Sequence, residues 1–168
     1  SNNYGPYQFP EKLIPLAISN ARLDQPIPVY GDGLQVRDWI HVADNCRAVA
    51  AVLQRGRPGA TYHIGGGNQT PNRELLGLLL NIMGKPESLL VSVTDRLGHD
   101  RRYAVDCSLI RSELGWEPEI PLEDGLRATV QWYDANREWL EHARSGEYRQ
   151  YYDRMYGRDL KGAGGDRA

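Results

Sequence analysis

Thr94-Asp-Arg-Leu-Gly-His-Asp-Arg-Arg-Tyr-Ala-Val-Asp106 gathers three arginines, a histidine and three aspartates around one glycine. On a helix such charges would spread around a solvated face, but Gly98 interrupts the run and a strand-like Tyr103-Ala-Val105 follows. The stretch reads as a shaped loop delivered by the strand Leu89 to Val93. Helical patterns flank it on both sides, and strands alternating with helices belong to an α/β fold. Two readings of the charges compete. Arginine's planar fork suits phosphate, because it donates two parallel hydrogen bonds and keeps its charge. A solvated loop whose arginines pair with nearby aspartates uses the same residues.

Working outward, Phe9-Pro-Glu11 opens a helix that continues through Leu13, Ile14, Leu16, Ala17 and Ile18 to about Arg22. Ile27-Pro-Val-Tyr30 is a short extended piece, and Gly31-Asp-Gly33 is a hairpin-type turn. Val36 to Val42 alternates as a strand, and Asp44 caps the helix that ends at Gly56. Thr61-Tyr-His-Ile64 reads as a strand, and Gly65-Gly-Gly67 as a sharp turn that brings backbone close to a neighbour. Thr70 caps and Pro71 opens the next helix, with Leu75, Leu76, Leu78, Leu79 and Ile82 on its buried face. Beyond the loop, Asp106 or Ser108 caps a short helix to Leu114. Pro121 then begins one long helix bearing Leu126, Val130, Trp132, Tyr133 and Trp139. Tyr148, Tyr151, Tyr152 and Tyr156 form an aromatic edge, and 157–168 is too polar and glycine-rich to fold alone. The expectation is one unit over 1–156, with α/β architecture but no central sheet of its own, and a disordered tail.

The 168 residues are 40% apolar, enough for one core, and the net charge of -2 gives no reason to expect nucleic acid or an anionic membrane as partner. All but three of the 20 basic residues are arginine, a bias that suits local anion recognition. Cys46 and Cys107 lack any CxxC or zinc spacing and read as packing residues in a reducing cytoplasm. No apolar run approaches the roughly 20 residues of a membrane span. The opening Ser-Asn-Asn-Tyr-Gly-Pro-Tyr, without methionine, looks like a piece cut from something longer. There is no dinucleotide fingerprint, no Tyr-xxx-Lys pair, no Ser-His-Asp elbow and no HExxH or EF-hand pattern. No catalytic residue and no metal site is therefore assigned within the chain.

Polar groups instead recur on separate loops: Asn2 and Asn3, Lys12, Tyr30 after Pro28, Arg37, Asn72, and Asp95 to Asp100. Amides and hydroxyls suit sugars and a pyrimidine edge, while Arg37 and the charged loop suit a diphosphate. Together they point to a nucleotide sugar.

Ser1-Asn-Asn-Tyr-Gly-Pro, Pro28-Val-Tyr-Gly-Asp-Gly-Leu-Gln-Val-Arg-Asp-Trp39, Tyr62-His-Ile-Gly-Gly66, Gly98-His-Asp-Arg-Arg-Tyr103 and Leu114-Gly-Trp-Glu-Pro118 resemble the carboxy-terminal half of the dTDP-glucose 4,6-dehydratases. These are extended short-chain dehydrogenases. The resemblance implies the substrate-binding part of that fold, lacking most of the Rossmann sheet. It implies that Asn3 contacts NAD. It places Asn2, Lys12, Leu13, Pro28, Val29, Tyr30, Arg37, Asn72, Asp95, Arg96, Leu97, Gly98 and His99 on the sugar nucleotide dTDP-glucose, with Tyr148 as a further contact. The glycine-rich NAD loop, the Tyr-xxx-Lys pair and the acid/base pair would lie upstream of Ser1, so the isolated chain is expected to be inactive. The full-length enzyme is expected to be a cytoplasmic homodimer. Leu97 stands where the family usually has proline, and His63 where asparagine is common. Two alternatives are a related nucleotide-sugar epimerase or decarboxylase, and a non-catalytic nucleotide-sugar-binding module.

Overall fold

The computed structural model describes residues 1–144, 150 and 152–156. Its elements in chain order are β1 (Asn2–Tyr4), α1 (Leu13–Arg22), β2 (Ile27–Tyr30), β3 (Val36–His41), α2 (Val42–Arg55), β4 (Gln69–Pro71), α3 (Asn72–Met83), β5 (Leu90–Val93), β6 (Arg102–Tyr103), α4 (Ser108–Leu114), α5 (Leu122–Ala135) and α6 (Arg137–Arg144). β3 is the hub of a small mixed sheet. It pairs in parallel with β1 (Trp39 opposite Asn2), antiparallel with β4 (Arg37 opposite Thr70) and in parallel with β6 (Arg37 opposite Tyr103). β2 and β5 form a separate parallel pair. Architecture is mixed α/β, as the alternation of patterns predicts.

The main core lies among α1, α3 and α5. Leu75, Leu76, Leu79 and Leu80 of α3 are fully buried with Ile14, Ile18, Leu126 and Tyr133. Each such leucine contributes about 1.5–3 kcal/mol through burial. Leu78 and Ile82, expected on this face, are half-buried at its border. A second cluster joins Ile40 and Ala48 to Ile110, Leu114 and Trp116. Among the described residues, no helix is long and apolar enough to cross a membrane.

Several local expectations change under tertiary contacts. α1 begins at Leu13 rather than near Pro10, because Lys12 is extended (φ -81°, ψ 153°) and Phe9 to Lys12 close a turn first. The Gly31–Gly33 turn forms, with Gly33 N donating to Tyr30 O at 3.0 Å, but it joins strands of different sheets and so closes no hairpin. Thr70 pairs with Arg37 in the ladder, leaving α3 without a side-chain cap. His41 caps α2 in place of Asp44, its Nδ1 accepting from Ala43 N at 3.2 Å. Thr61–Ile64 forms no strand. A strand needs a hydrogen-bonded neighbour, and among the described residues this backbone meets only the Ser1 amino group, which donates to Ile64 O at 2.7 Å. The expected long carboxy-terminal helix breaks at Asn136, whose backbone leaves the helical region (φ -121°, ψ 46°). Cys46 is exposed on α2 rather than packed, whereas Cys107 borders the second cluster. Tyr148, Tyr151 and the proposed tail 157–168 lie outside the described residues.

Candidate functional site

Ten of the residues singled out in the sequence line one cavity of about 330 Å³. β1 brings Asn2 and Asn3, the start of α1 Lys12 and Leu13, β2 Pro28 and Tyr30, and β3 Arg37; Asn72 comes from the first turn of α3, and Arg96 and His99 from the charged loop. The register of β3 places Arg37 between Thr70 and Tyr103, so ladders on both sides hold its backbone. Trp39, Gln8, Glu11 and Tyr156 line the same space and were not singled out as site residues. Tyr156 was legible only as part of an aromatic cluster. It reaches the cavity because its hydroxyl lies 3.3 Å from that of Tyr30, across 126 residues of chain.

The electrostatics are unbalanced toward positive charge. Arg37 is 8% exposed, and its guanidinium donates to Val36 O at 2.8 Å, yet it has no carboxylate partner among the described residues. Burial pushes the Arg37 guanidinium below its ordinary range, and the nearby Arg96 charge adds to this, with Asp100 opposing. A buried cation facing a second cation is unfavourable unless an anion joins them. Arg96 stacks over the Tyr30 ring, 5.8 Å from its centroid, and also lacks a carboxylate partner among the described residues. The other two arginines of the stretch follow the solvated-loop reading. Arg101 donates to both oxygens of Asp32 at 2.9 and 3.0 Å, and Arg102 to Gln69 Oε1. The charged loop thus divides between surface pairing and an unpaired cation at the cavity.

Polar atoms in the lining await partners. Asn2 Oδ1, Asn3 Oδ1, Asn72 Oδ1 and Trp39 Nε1 are buried with no hydrogen-bond partner. Unsatisfied buried polar groups are rare enough that four around one cavity point to a ligand or ordered water. His99, whose side chain is 5% exposed, meets Asp95 Oδ1 through Nδ1 at 2.7 Å and the Tyr30 ring edge-on at 5.8 Å.

The remaining named residues are placed elsewhere. Val29 is buried in the core, Leu97 is fully exposed, Gly98 is exposed at φ +69°, and Asp95 stands behind His99 rather than at the cavity surface. A larger cavity of about 580 Å³ beside α3 is lined by Leu34, Leu78 and Leu122 with Arg73, Glu74 and Glu87. Its lining holds one arginine against two glutamates, which does not suit an anion, and it contains none of the site residues named above.

The family model for GDP-mannose 4,6 dehydratase matches residues 1–129. The chain belongs to the GDP-mannose 4,6 dehydratase family. Within that family it is 50% identical, over 158 residues, to the dTDP-glucose 4,6-dehydratase of Xanthomonas campestris, covering 89% of this chain and 45% of that protein. The crystal structure of DesIV, a dTDP-glucose 4,6-dehydratase from Streptomyces venezuelae with NAD and TYD bound, superposes with a TM-score of 0.82 at 51% identity, over 84% of this chain and 44% of that one. The UDP-glucose 4-epimerase of Thermotoga maritima with UDP-glucose superposes less closely, with a TM-score of 0.75 at 30% identity, over 81% and 44%. The chain spans about 45% of the length of the curated relatives it matches.

Proposed function

We propose that this chain is the nucleotide-sugar-binding portion of an NAD-dependent dTDP-glucose 4,6-dehydratase, which converts dTDP-glucose to dTDP-4-dehydro-6-deoxyglucose and water. The observation that carries the reading is the convergence of Arg37 and Arg96 on one cavity, neither of them in an ion pair among the described residues. A diphosphate supplies the missing charge, and two guanidinium forks can bind its oxygens in pairs. Asn2 and Asn72 then offer amides to sugar or pyrimidine edges, and Tyr30 offers an aromatic wall already held by Arg96 and Tyr156.

For the cofactor, Asn3 fits a contact with NAD, since its Oδ1 is buried without a partner while its Nδ2 donates to Ser1 O at 3.2 Å. NAD, when bound, supplies a hydride acceptor that is regenerated within each turnover. The chain's own part is to bind and orient. Its sequence carries no glycine-rich dinucleotide fingerprint and no Tyr-xxx-Lys pair, so this reading takes proton transfer from residues outside the chain. The higher identity to dehydratases than to the epimerase favours thymidine over uridine nucleotides.

Isothermal titration of the chain with thymidine, uridine and guanosine diphosphates tests the proposal. Thymidine diphosphate should bind tightest, and Arg37→Ala should weaken it by about 1.5–3 kcal/mol, the contribution of a hydrogen bond to a charged group. Equal affinity of the parent and Arg37→Ala would remove the diphosphate from this cavity. A uridine preference would favour the epimerase reading.

A further inference from the structure

We propose that Gln35 is a positioning residue of this cavity, holding His99 and the loop that carries Arg96 in place through Asp95. The inference rests on the nucleoside-diphosphate reading above and adds a residue that touches no ligand in it. Gln35 is 2% exposed at the entry of β3, and its Nε2 donates to Asp95 Oδ2 at 2.9 Å across 60 residues of chain. The other carboxylate oxygen, Asp95 Oδ1, accepts from Arg96 N at 2.9 Å and meets His99 Nδ1 at 2.7 Å. One carboxylate therefore has a donor on every side. Gly31, at φ +56°, makes room for it, since a Cβ there would come within 3.0 Å of Asp95 Oδ2. The backbone of Gln35 ties a further wall, its carbonyl accepting from Asn72 N at 3.0 Å.

The choice of glutamine has a chemical reason. Glutamate would set a second negative charge against Asp95, and leucine would leave Asp95 Oδ2 without its donor. Gln35 Oε1 is buried and unpartnered, so the one bond from Nε2 to Asp95 is the side chain's polar contact. That bond acts on recognition because a carboxylate at Nδ1 makes that nitrogen the donor of His99, so that the neutral ring keeps Nε2 as its acceptor. Without Gln35, Asp95 is free to turn, and His99 and Arg96 lose their common anchor.

The test uses the full 168-residue chain, Gln35→Glu, and the swap Gln35→Glu/Asp95→Asn, which restores the bond with its donor reversed and keeps an acceptor for His99. The His99 ring nitrogens are followed by nitrogen-15 NMR without ligand, and thymidine diphosphate is titrated as probe. The parent should show a single Nδ1-protonated tautomer. Gln35→Glu should mix the tautomers and weaken the nucleotide by about tenfold or more, because two like charges then meet and Asp95 Oδ2 loses its donor. The swap should restore the single tautomer and bring affinity back to within about threefold, as coupled neighbours do. An unchanged His99 spectrum in Gln35→Glu, or a swap no better than the single variant, overturns the proposal. If the parent binds no thymidine diphosphate, the nucleotide reading fails by itself, and the loss and recovery of the tautomer still decides for or against Gln35.

Discussion

Arg37 shows how a single side chain separates stability from binding. Its charge is buried, depressed by burial and by Arg96 with Asp100 opposing, and held in no ion pair among the described residues. Replacing a buried charge by an apolar group of similar size is often neutral or stabilising. Arg37→Met should therefore leave the thermal midpoint unchanged or raise it, while nucleoside diphosphate binding falls by about 1.5–3 kcal/mol, as the loss of a charge-assisted contact requires. A calorimetric scan beside a titration checks both. A variant that lost stability and kept binding would assign Arg37 to the scaffold. Arg101, three residues beyond Gly98, contrasts with it: already paired with Asp32, it should tolerate alanine in the same titration.

Between elements, the joints are made by groups whose neighbours are far away in sequence. Asp44 of α2 is fully buried and accepts from Arg47, Glu119 N and Ile120 N, so it fastens α2 to the segment leading into α5. Burial pushes its carboxyl up, but those three donors outweigh burial and hold it below its ordinary value of 3.8. A folded value below the unfolded one contributes stability that is present above 3.8 and lost as the pH falls through the folded value. Asp44→Asn should lower the urea midpoint at neutral pH and flatten its decline under acid. Equal acid slopes in parent and variant would contradict this. The glycine turn before β4 gives a second prediction. A Cβ on Gly66 would lie 1.9 Å from Trp39 O, whereas one on Gly67 (φ +69°) meets nothing within 4 Å. Gly67→Ala should cost about 1–2 kcal/mol for its left-handed backbone. Gly66→Ala should cost above about 4 kcal/mol, since β3 itself must shift. Chemical denaturation ranks the two, and equal losses would show that the β3 backbone yields freely.

For the molecule as a whole, the expectation is binding without turnover. The chain holds the candidate nucleotide cavity but spans about 45% of its curated relatives, and its sequence has neither the dinucleotide fingerprint nor a Tyr-xxx-Lys pair. Incubated with NAD and dTDP-glucose it should yield no 4-keto product, read by absorbance after alkali. Product at any rate above the uncatalysed background would place catalytic groups within these residues. Much of this layout was legible beforehand. Helical periodicity located α1, α2 and α3, and the Asn2, Asn3, Arg37 and Asn72 set was drawn from residue chemistry and family pattern, because both signals are written in short stretches of chain. The missed features are non-local. Thr61–Ile64 has strand composition, yet a strand exists only with a partner. Gln35 has no distinguishing local pattern, and its bond to Asp95 exists only through a fold that brings together positions 60 residues apart. By itself the sequence determined where most helices lie, the α/β class, the family and the residue kinds suited to a nucleotide sugar, since these depend on local pattern and composition. Tertiary structure alone decided which arginines stand unpaired, that Val29 is core and Leu97 solvent, and that Gln35 and His99 meet the same carboxylate of Asp95. Charge compensation and burial are set by neighbours up to 132 residues distant, as in the Asn20–Tyr152 contact, and no local reading of the chain contains them.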